Sequence, residues 1–230
     1  MKKNLLLCVT ALLAASLDAA AASPKDEVTE AAKKLAEKPN YSWKATVVVP
    51  ESAQFRPGPT EGKIEKDGFA HLTWSFNDNT SQGVVKGDKG AATDPDGGWQ
   101  SISELENSEG FGRFTALRLR NFKAPAAQAA ELASFAKELK KDGDAYTGEL
   151  SEDGAKTQLR FGRGGEVNNA KGSVKFWIKD GVLSKIEIKV KGTVKFNDNE
   201  FENDRTTTIE IKDIGTTNVV VPADAKKKLS

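Results

Sequence analysis

Apolar and polar residues alternate over several stretches of the chain with the period of two that is typical of β-strands. The stretches 41–49 and 70–76 alternate in this way, and both place their aromatic residues on the apolar side. The longest alternating run is VKFWIKDGVLSKIEIKVKG at 174–192, where apolar residues alternate with lysines on both sides of Asp180-Gly181. Because an Asp-Gly pair favours a tight turn between antiparallel strands, this run predicts a β-hairpin.

Helical spacing of apolar residues marks the start and the middle of the chain. The capping sequence Ser23-Pro24 predicts a first helix, which Pro39 ends. Two more helices are predicted, one within 111–122, which is rich in phenylalanine, and one over 125–139, which is rich in alanine. The order of helix, strands, helices and strands predicts an α+β fold without βαβ alternation.

The register of the long hairpin decides which side chains share a face. A two-residue turn would place Phe176 opposite Lys185 and mix the apolar and charged faces. A three-residue turn, with Gly181 in the left-handed conformation of a G1 bulge, pairs Ile178 with Val182 and keeps the faces apart. We therefore predict the three-residue turn.

In this register the hairpin has one apolar face and one lysine-rich face. The apolar face comprises Val174, Phe176, Ile178, Val182, Ile186, Ile188, Val190, Val194 and Phe196. Trp177 and Leu183 fall opposite each other on the lysine-rich face, either as a pair that closes the hairpin or as an exposed spot for a partner. The strand 182–196 would be roughly 50 Å long, so its apolar side predicts a large, curved sheet that other elements cover.

Composition and the N-terminus narrow the class of protein. The 230 residues carry a net charge of +1, which gives no overall attraction for nucleic acid, and their length favours one domain. A basic start, an apolar run at 5–17 and small residues at 19–22 predict a signal peptide over 1–22, cleaved after Ala21 or Ala22. Lipid attachment at Cys8 is disfavoured, because only four residues separate it from Lys3. We expect a periplasmic or secreted protein with a single domain over 23–230.

The sequence offers little catalytic chemistry. His71 is the only histidine and Cys8 the only cysteine, so the usual zinc sites and a disulfide are not expected in the mature chain. The glycines of FGRGGE lack the spacing of phosphate-binding loops, and TDPDGG and FNDNEFEND do not fit a calcium-binding loop. The arginines of RLR at 118–120 could form an anion site, but a solvated helix face is favoured. We predict no catalytic residue, no metal site and no cofactor, and we expect that the protein is not an enzyme.

An exported chain with a first helix, a β-meander, central helices and long closing strands before a proline and a short tail resembles the periplasmic lipoprotein-carrier superfamily. This superfamily includes the LolA-like and the mycobacterial LppX/LprG-like proteins. Three stretches, VKFWIKDGVLSKIEIKVKG, YTGELSEDGAK and TTTIEIKDIGTTNVVVPADAKKKL, also resemble uncharacterised secreted bacterial proteins. The superfamily resemblance implies a curved antiparallel sheet, an unclosed β-barrel, whose central helices pack on its concave face.

The resemblance also implies a non-enzymatic binding protein that holds a lipid or another apolar ligand, such as the acyl chain of a lipoprotein, between sheet and helices. The candidate ligand-binding residues are apolar residues expected to face this space: Phe114, Leu117, Leu132, Phe135, Phe176, Ile186, Ile188 and Val190. Trp177 and Leu183 are the candidate residues for binding a protein partner. The alternative is an envelope protein-interaction or sensory module with a fully packed core and no ligand. Nucleic acid and an integral membrane segment after signal cleavage are not expected.

Overall fold

The structure is a computed structural model that describes residues 22–53, 56–76, 79–94, 96–108, 110–160, 165–196 and 199–229. The predicted signal peptide lies outside these residues except for Ala22. Most of FGRGGE, Pro95 of TDPDGG, the first residues of the second acidic stretch and the side chain of Phe196 also lie outside the described part.

The helices and strands follow the predicted order of helix, strands, helices and strands, except that one short helix interrupts the closing strands and another follows them. Their bounds are α1 Pro24–Ala36, β1 Asn40–Val48, β2 Thr60–Glu65, β3 Ala70–Phe76, β4 Asn79–Lys86, β5 Lys89–Thr93, β6 Trp99–Ser101, α2 Ile102–Asn107, α3 Phe111–Arg120, α4 Pro125–Phe135, β7 Lys140–Asp142, β8 Ala145–Glu149, α5 Glu152–Leu159, β9 Glu166–Lys179, β10 Val182–Phe196, β11 Asn199–Lys212 and α6 Ala223–Lys228. The second central helix therefore ends at Phe135, earlier than we predicted, because the chain turns there into a bridge between Ala136 and Leu150.

The strands of the described residues form one antiparallel sheet in the order β6-β5-β4-β3-β2-β1-β11-β10-β9-β8-β7. The first strand of the chain pairs with the last, so two meanders meet at β1 and β11 in the middle of the sheet. The two outer strands, β6 and β7, are three residues long and pair only with their inner neighbours within the described residues. The predicted unclosed sheet with helices is therefore confirmed, and the short edge strands limit edge-to-edge pairing.

The predicted first helix is also confirmed, together with its cap. The Ser23 hydroxyl accepts a hydrogen bond from the Asp26 amide at 3.2 Å, and the Asp26 carboxylate accepts one from the Ser23 amide at 3.2 Å. This reciprocal pair satisfies two free N–H groups of the first helical turn. The helix buries Val28 and Leu35, and it contacts α4 and β10.

The helices divide the concave face of the sheet between them. α1 and α5 contact β9 and β10, and α4 packs on α1 and α5, whereas α2 and α3 lie towards β4 to β6. Between the helices and the sheet lies one continuous apolar core, in which Phe176 is the largest fully buried side chain. Among the described residues, no helix is both long and apolar enough to cross a membrane.

The turn of the long hairpin differs from our prediction. Asp180 and Gly181 both have positive φ, 53° and 73°, and Val182 pairs with Lys179, so the turn has two residues and not three. A β-bulge at Ser184 then shifts the register, and the Ser184 hydroxyl donates to the Trp177 carbonyl at 3.0 Å. The bulge turns the following residues back to the apolar face, which is how a two-residue turn avoids mixing the faces.

The bulge exchanges the places of two neighbouring apolar residues. Leu183 pairs with Ile178 on the concave side and is fully buried, and Val182 pairs with Lys179 at the hairpin end. The prediction that Leu183 lies on the lysine-rich face is therefore wrong. Trp177 does lie on that convex face, opposite Lys185.

Candidate functional site

Five of the eight candidate ligand-binding residues lie deep in the interior. Leu132, Phe176, Ile186, Ile188 and Val190 are 0–3% exposed and belong to the same packed core. They come from α4 and from the concave sides of β9 and β10, as the register requires. These side chains are in mutual contact in this structure, and their predicted role in ligand binding stays a prediction.

The other three candidates lie at the margin of the core or outside it. Phe135 is half-buried against the core, Leu117 is half-buried on α3, and Phe114 is 70% exposed. The prediction that Phe114 faces the interior is wrong, because α3 buries Thr115 and Ala116 instead. Small side chains on this face let the helix approach the sheet closely, and a phenylalanine would not fit there.

The packing of the concave face is uneven along its strands. Because directly paired residues share a face, the row from Trp43 through Gly62 to Leu72 can be followed across the sheet, and it is buried. The next two rows are half-buried at the centre of the sheet. We call the four residues that form this part the open patch: Ala45, Val47, Thr60 and Thr207.

Arg118 of α3 borders the open patch. Its guanidinium donates a hydrogen bond to the Thr60 hydroxyl at 2.6 Å and lies 4.7 Å from the centre of the Trp74 ring. Although the residue as a whole is exposed, desolvation beside the sheet lowers the pKa of the guanidinium. No described carboxylate lies within ion-pair distance of the Arg118 guanidinium. Some of its N–H donors beside the patch therefore have no acceptor among the described side chains.

A second arginine stands at the other border. Arg205 lies two residues before Thr207 on the same face of β11, and its guanidinium donates to the carbonyl of Gln158 near the end of α5. Burial lowers the pKa of Arg205. The open patch is therefore a strip of apolar and hydroxyl side chains between two guanidinium groups that α3 and α5 hold in place.

Two exposed phenylalanines lie on the same side of α3 as Arg118. Phe111, Phe114 and Arg118 are spaced i, i+3 and i+7, so they share one side of the helix. The hydrogen bond from Arg118 to Thr60, the first residue of β2, orients this side of the helix towards the start of β2. The sequence predicts Phe114 and Leu117 as candidates and favours a solvated helix face over an anion site for Arg118, and it does not indicate the residues of the open patch. Their proximity depends on contacts between residues far apart in the chain, such as Arg118 with Thr60, 58 residues away, and Val47 with Thr207.

Trp177 is half-buried on the convex face. The Lys185 ammonium lies 4.3 Å from the centre of the indole ring, a cation–π contact, and Ala145 of β8 pairs with Trp177 on the other side. These contacts hold the indole against the sheet. A role for Trp177 in binding a partner stays a prediction, whereas Leu183 is fully buried and not accessible to a partner.

Charges of alternating sign continue across this convex face. Cross-strand pairing brings Lys185, Glu210, Lys44 and Glu61 into one row, with the Lys44 ammonium 2.8 Å from the Glu61 carboxylate. The hydrogen bond and charge of Lys212 lower the pKa of the Glu210 carboxyl. Because the charges in this row compensate one another, the row itself presents no field of one sign.

Two open depressions are formed by described residues, the first at the rim of the sheet and the second between α1 and the end of the long hairpin. One, of about 790 Å³, lies among the turns at 67–69 and 86–89 and α6, and the other, of about 480 Å³, lies beside α1 and Tyr146. His71 is half-buried and shares a hydrogen bond of 3.1 Å with Gln82. Within the described residues, no three His, Cys, Asp or Glu side chains are arranged to hold a metal ion.

Comparison with known proteins gives similarity of fold alone. Neither a protein-family model nor a characterised protein sequence matches the chain. LprF from Mycobacterium bovis is similar with a TM-score of 0.49 and 11% identity, over 88% of this chain and 97% of its own. Lipoprotein LppX from Mycobacterium tuberculosis has a TM-score of 0.47 and 12% identity, over 86% and 98%. A LolA-superfamily protein from Nitrosomonas europaea has a TM-score of 0.40 and 9% identity, over 91% and 98%.

Proposed function

We propose that this chain is an exported, non-enzymatic binding protein that holds a lipid acyl chain or another apolar ligand between sheet and helices. The observation that carries the proposal is the open patch, a half-buried part of the concave face that Arg118 of α3 borders on one side and Arg205, hydrogen-bonded to α5, on the other. Phe114, 70% exposed on the side of α3 that Arg118 shares, adds apolar surface beside it. Uncovered apolar surface on a concave face favours a ligand of matching chemistry.

The packed interior sets the route that such a ligand takes. Phe176 and Ile186 are fully buried in contact with other core residues, so they leave no room for an acyl chain in this structure. A chain that first lies on the open patch reaches them only if interior side chains or helices move apart. The predicted ligand-binding residues then form the inner wall, and the open patch is the entrance.

Export follows from the predicted signal peptide, and it makes lipids and acylated proteins of the cell envelope the accessible ligands. We expect the mature protein to begin at Ala22 or Ser23, just before the capped α1. Mass measurement of protein recovered from the periplasm or medium tests this. A mature protein that still contains residues 1–22 contradicts it.

Native mass spectrometry of the exported protein, as purified and after addition of phospholipid, tests ligand binding. We expect lipid adducts that are strongly reduced in F114A. Phe201 is 52% exposed at the far end of β11, so F201A is the matched control that should keep them. Protein that carries no lipid adduct, either as purified or after addition of phospholipid, would refute the proposal.

A second candidate function is an envelope interaction module without a ligand. Its support is the interior itself, where Leu132, Phe176 and Ile186 are fully buried as in an ordinary core. In that case a defined envelope partner is recovered with the protein, and W177A weakens its binding. An unchanged complex with W177A counts against a role for this face.

A further inference from the structure

Arg118 differs from the other well-placed arginine of the same helix. Arg120 donates to both carboxylate oxygens of Glu106, with one distance of 2.8 Å, which satisfies its charge. Arg118 contacts a neutral hydroxyl and an aromatic ring, and no described carboxylate pairs with it. The charge of Arg118 is therefore not balanced by a described side chain within ion-pair distance.

The contacts of Arg118 leave part of its hydrogen-bonding capacity unused. A guanidinium has five N–H donors in a planar fork, and the Thr60 hydroxyl takes one of them. The Trp74 ring lies against the guanidinium, so it restrains the group without using the remaining donors. A held guanidinium with free donors matches the two oxygens of a carboxylate or phosphate.

The surroundings of this cation are apolar on two sides. Phe111 and Phe114 extend from the same side of α3, and Ala45 and Val47 lie along β1 beyond Thr60. An anion that binds Arg118 therefore has apolar surface within reach for a hydrocarbon tail. This combination fits an amphiphile better than a small soluble anion, which would gain nothing from the apolar surface.

We propose that Arg118 binds the anionic headgroup of a lipid whose acyl chain lies on the open patch. This inference rests on the proposed function and deepens it, because it assigns the ligand a negative charge and a defined orientation. The carboxylate or phosphate accepts hydrogen bonds from the Arg118 guanidinium, and the chain runs along Ala45 and Val47 towards the Arg205 border.

Matched lipids with and without a charge test the inference. The probes are 9,10-dibromostearate and its methyl ester, whose bromine atoms quench tryptophan fluorescence on contact, and the readout is Kd from quenching. We expect dibromostearate to bind R118Q on the order of 10- to 100-fold more weakly than wild type, because the substitution removes a charge-assisted hydrogen bond to the carboxylate. The methyl ester should bind both proteins equally.

Control variants separate the headgroup contact from charge and folding. Arg113 is exposed on the same helix, about 140° round from Arg118, so R113Q removes the same charge from α3 and should leave both Kd values unchanged. R118K keeps the charge without the planar fork and should bind dibromostearate with intermediate affinity. Thermal unfolding shows whether R118Q folds. If it does not, the affinity of R118K for dibromostearate provides the test of the headgroup contact.

Three other outcomes of the binding experiment would each refute one part of the proposal. Equal binding of acid and ester, unchanged in R118Q, refutes the headgroup contact and leaves the proposed function standing. Failure of both probes to bind refutes the proposed function and this inference with it. Displacement of dibromostearate by millimolar inorganic phosphate, with no loss of ester binding, identifies a general anion site and refutes the proposal that the anion is a lipid headgroup.

Discussion

Truncation of Phe176 measures whether the interior is a packed core or a space kept for a ligand. The side chain is fully buried among apolar residues of the sheet and α-helices. In a packed core, Phe176→Ala removes most of the contacts that an aromatic ring makes and leaves a cavity. In an interior with unfilled space, the ring already lacks partners on one side and its loss costs less.

Two independent routes give similar magnitudes for the packed case. A buried aromatic side chain removes about 150–250 Å² from water, which at ~25 cal/mol/Å² amounts to about 4–6 kcal/mol as an upper value. Truncations of buried Phe to Ala cost about 3–5 kcal/mol. We therefore expect Phe176→Ala to lower the free energy of unfolding by about 4 kcal/mol.

Urea unfolding of lipid-free protein, followed by far-UV circular dichroism, provides the measurement. With an m-value near 2 kcal/mol/M, the expected loss moves the midpoint down by about 2 M. Phe114→Ala is the control at a 70% exposed position and should change stability by less than about 0.5 kcal/mol. A loss below about 2 kcal/mol for Phe176→Ala, with an unchanged m-value, would refute the packed interior. Phe176→Leu gives a smaller loss in the same direction if the alanine variant does not fold.

Three further predictions concern local structure. Gly62→Ala should cost about 3 kcal/mol in urea unfolding, because a Cβ there overlaps the indole of Trp43. Gly181→Ala should cost about 1 kcal/mol, since φ is +73° at the hairpin turn, and an unchanged midpoint would contradict the two-residue turn. A hydrogen bond from Lys228 is the main cause that lowers the pKa of Glu104 from 4.5 to about 2. This carboxylate therefore adds stability above pH 4.5 that is lost as the pH falls through 2. Between these values the urea midpoint should fall more steeply in wild type than in E104Q, and parallel curves would contradict the contact.

The strands were predictable because burial on one face leaves a period of two in the sequence. Tyr41 and Trp43 point into the core and their neighbours Ser42 and Lys44 do not, so the sequence of β1 shows the alternation of buried and exposed positions directly. The first helix was predictable for a local reason as well, since its capping box needs only residues three positions apart. Local physical rules are visible in a sequence wherever both partners are close along the chain.

The bulge at Ser184 was not predictable from the same pattern. Val182 and Leu183 are both apolar, so either one satisfies an inward position, and a two-residue and a three-residue turn differ only in which one is chosen. The polar Ser184 resembles any outward-facing strand residue. What favours the bulge is its hydrogen bond to the Trp177 carbonyl, a contact with the opposite strand that alternation does not encode.

The same limit explains why the sequence favours a solvated helix face for Arg118 and misplaces Phe114. The helical period gives the spacing of apolar side chains but not how far the helix stands from the sheet. On the sheet side, Gly83 offers no side chain, and a Cβ there would lie 2.8 Å from Leu119. Helix α3 therefore packs closely through Ala116 and Leu119, which turns the larger Phe114 outward and brings Arg118 over Trp74. One close contact between helix and sheet thus creates both halves of the proposed site, the exposed aromatic surface and the cation beside it.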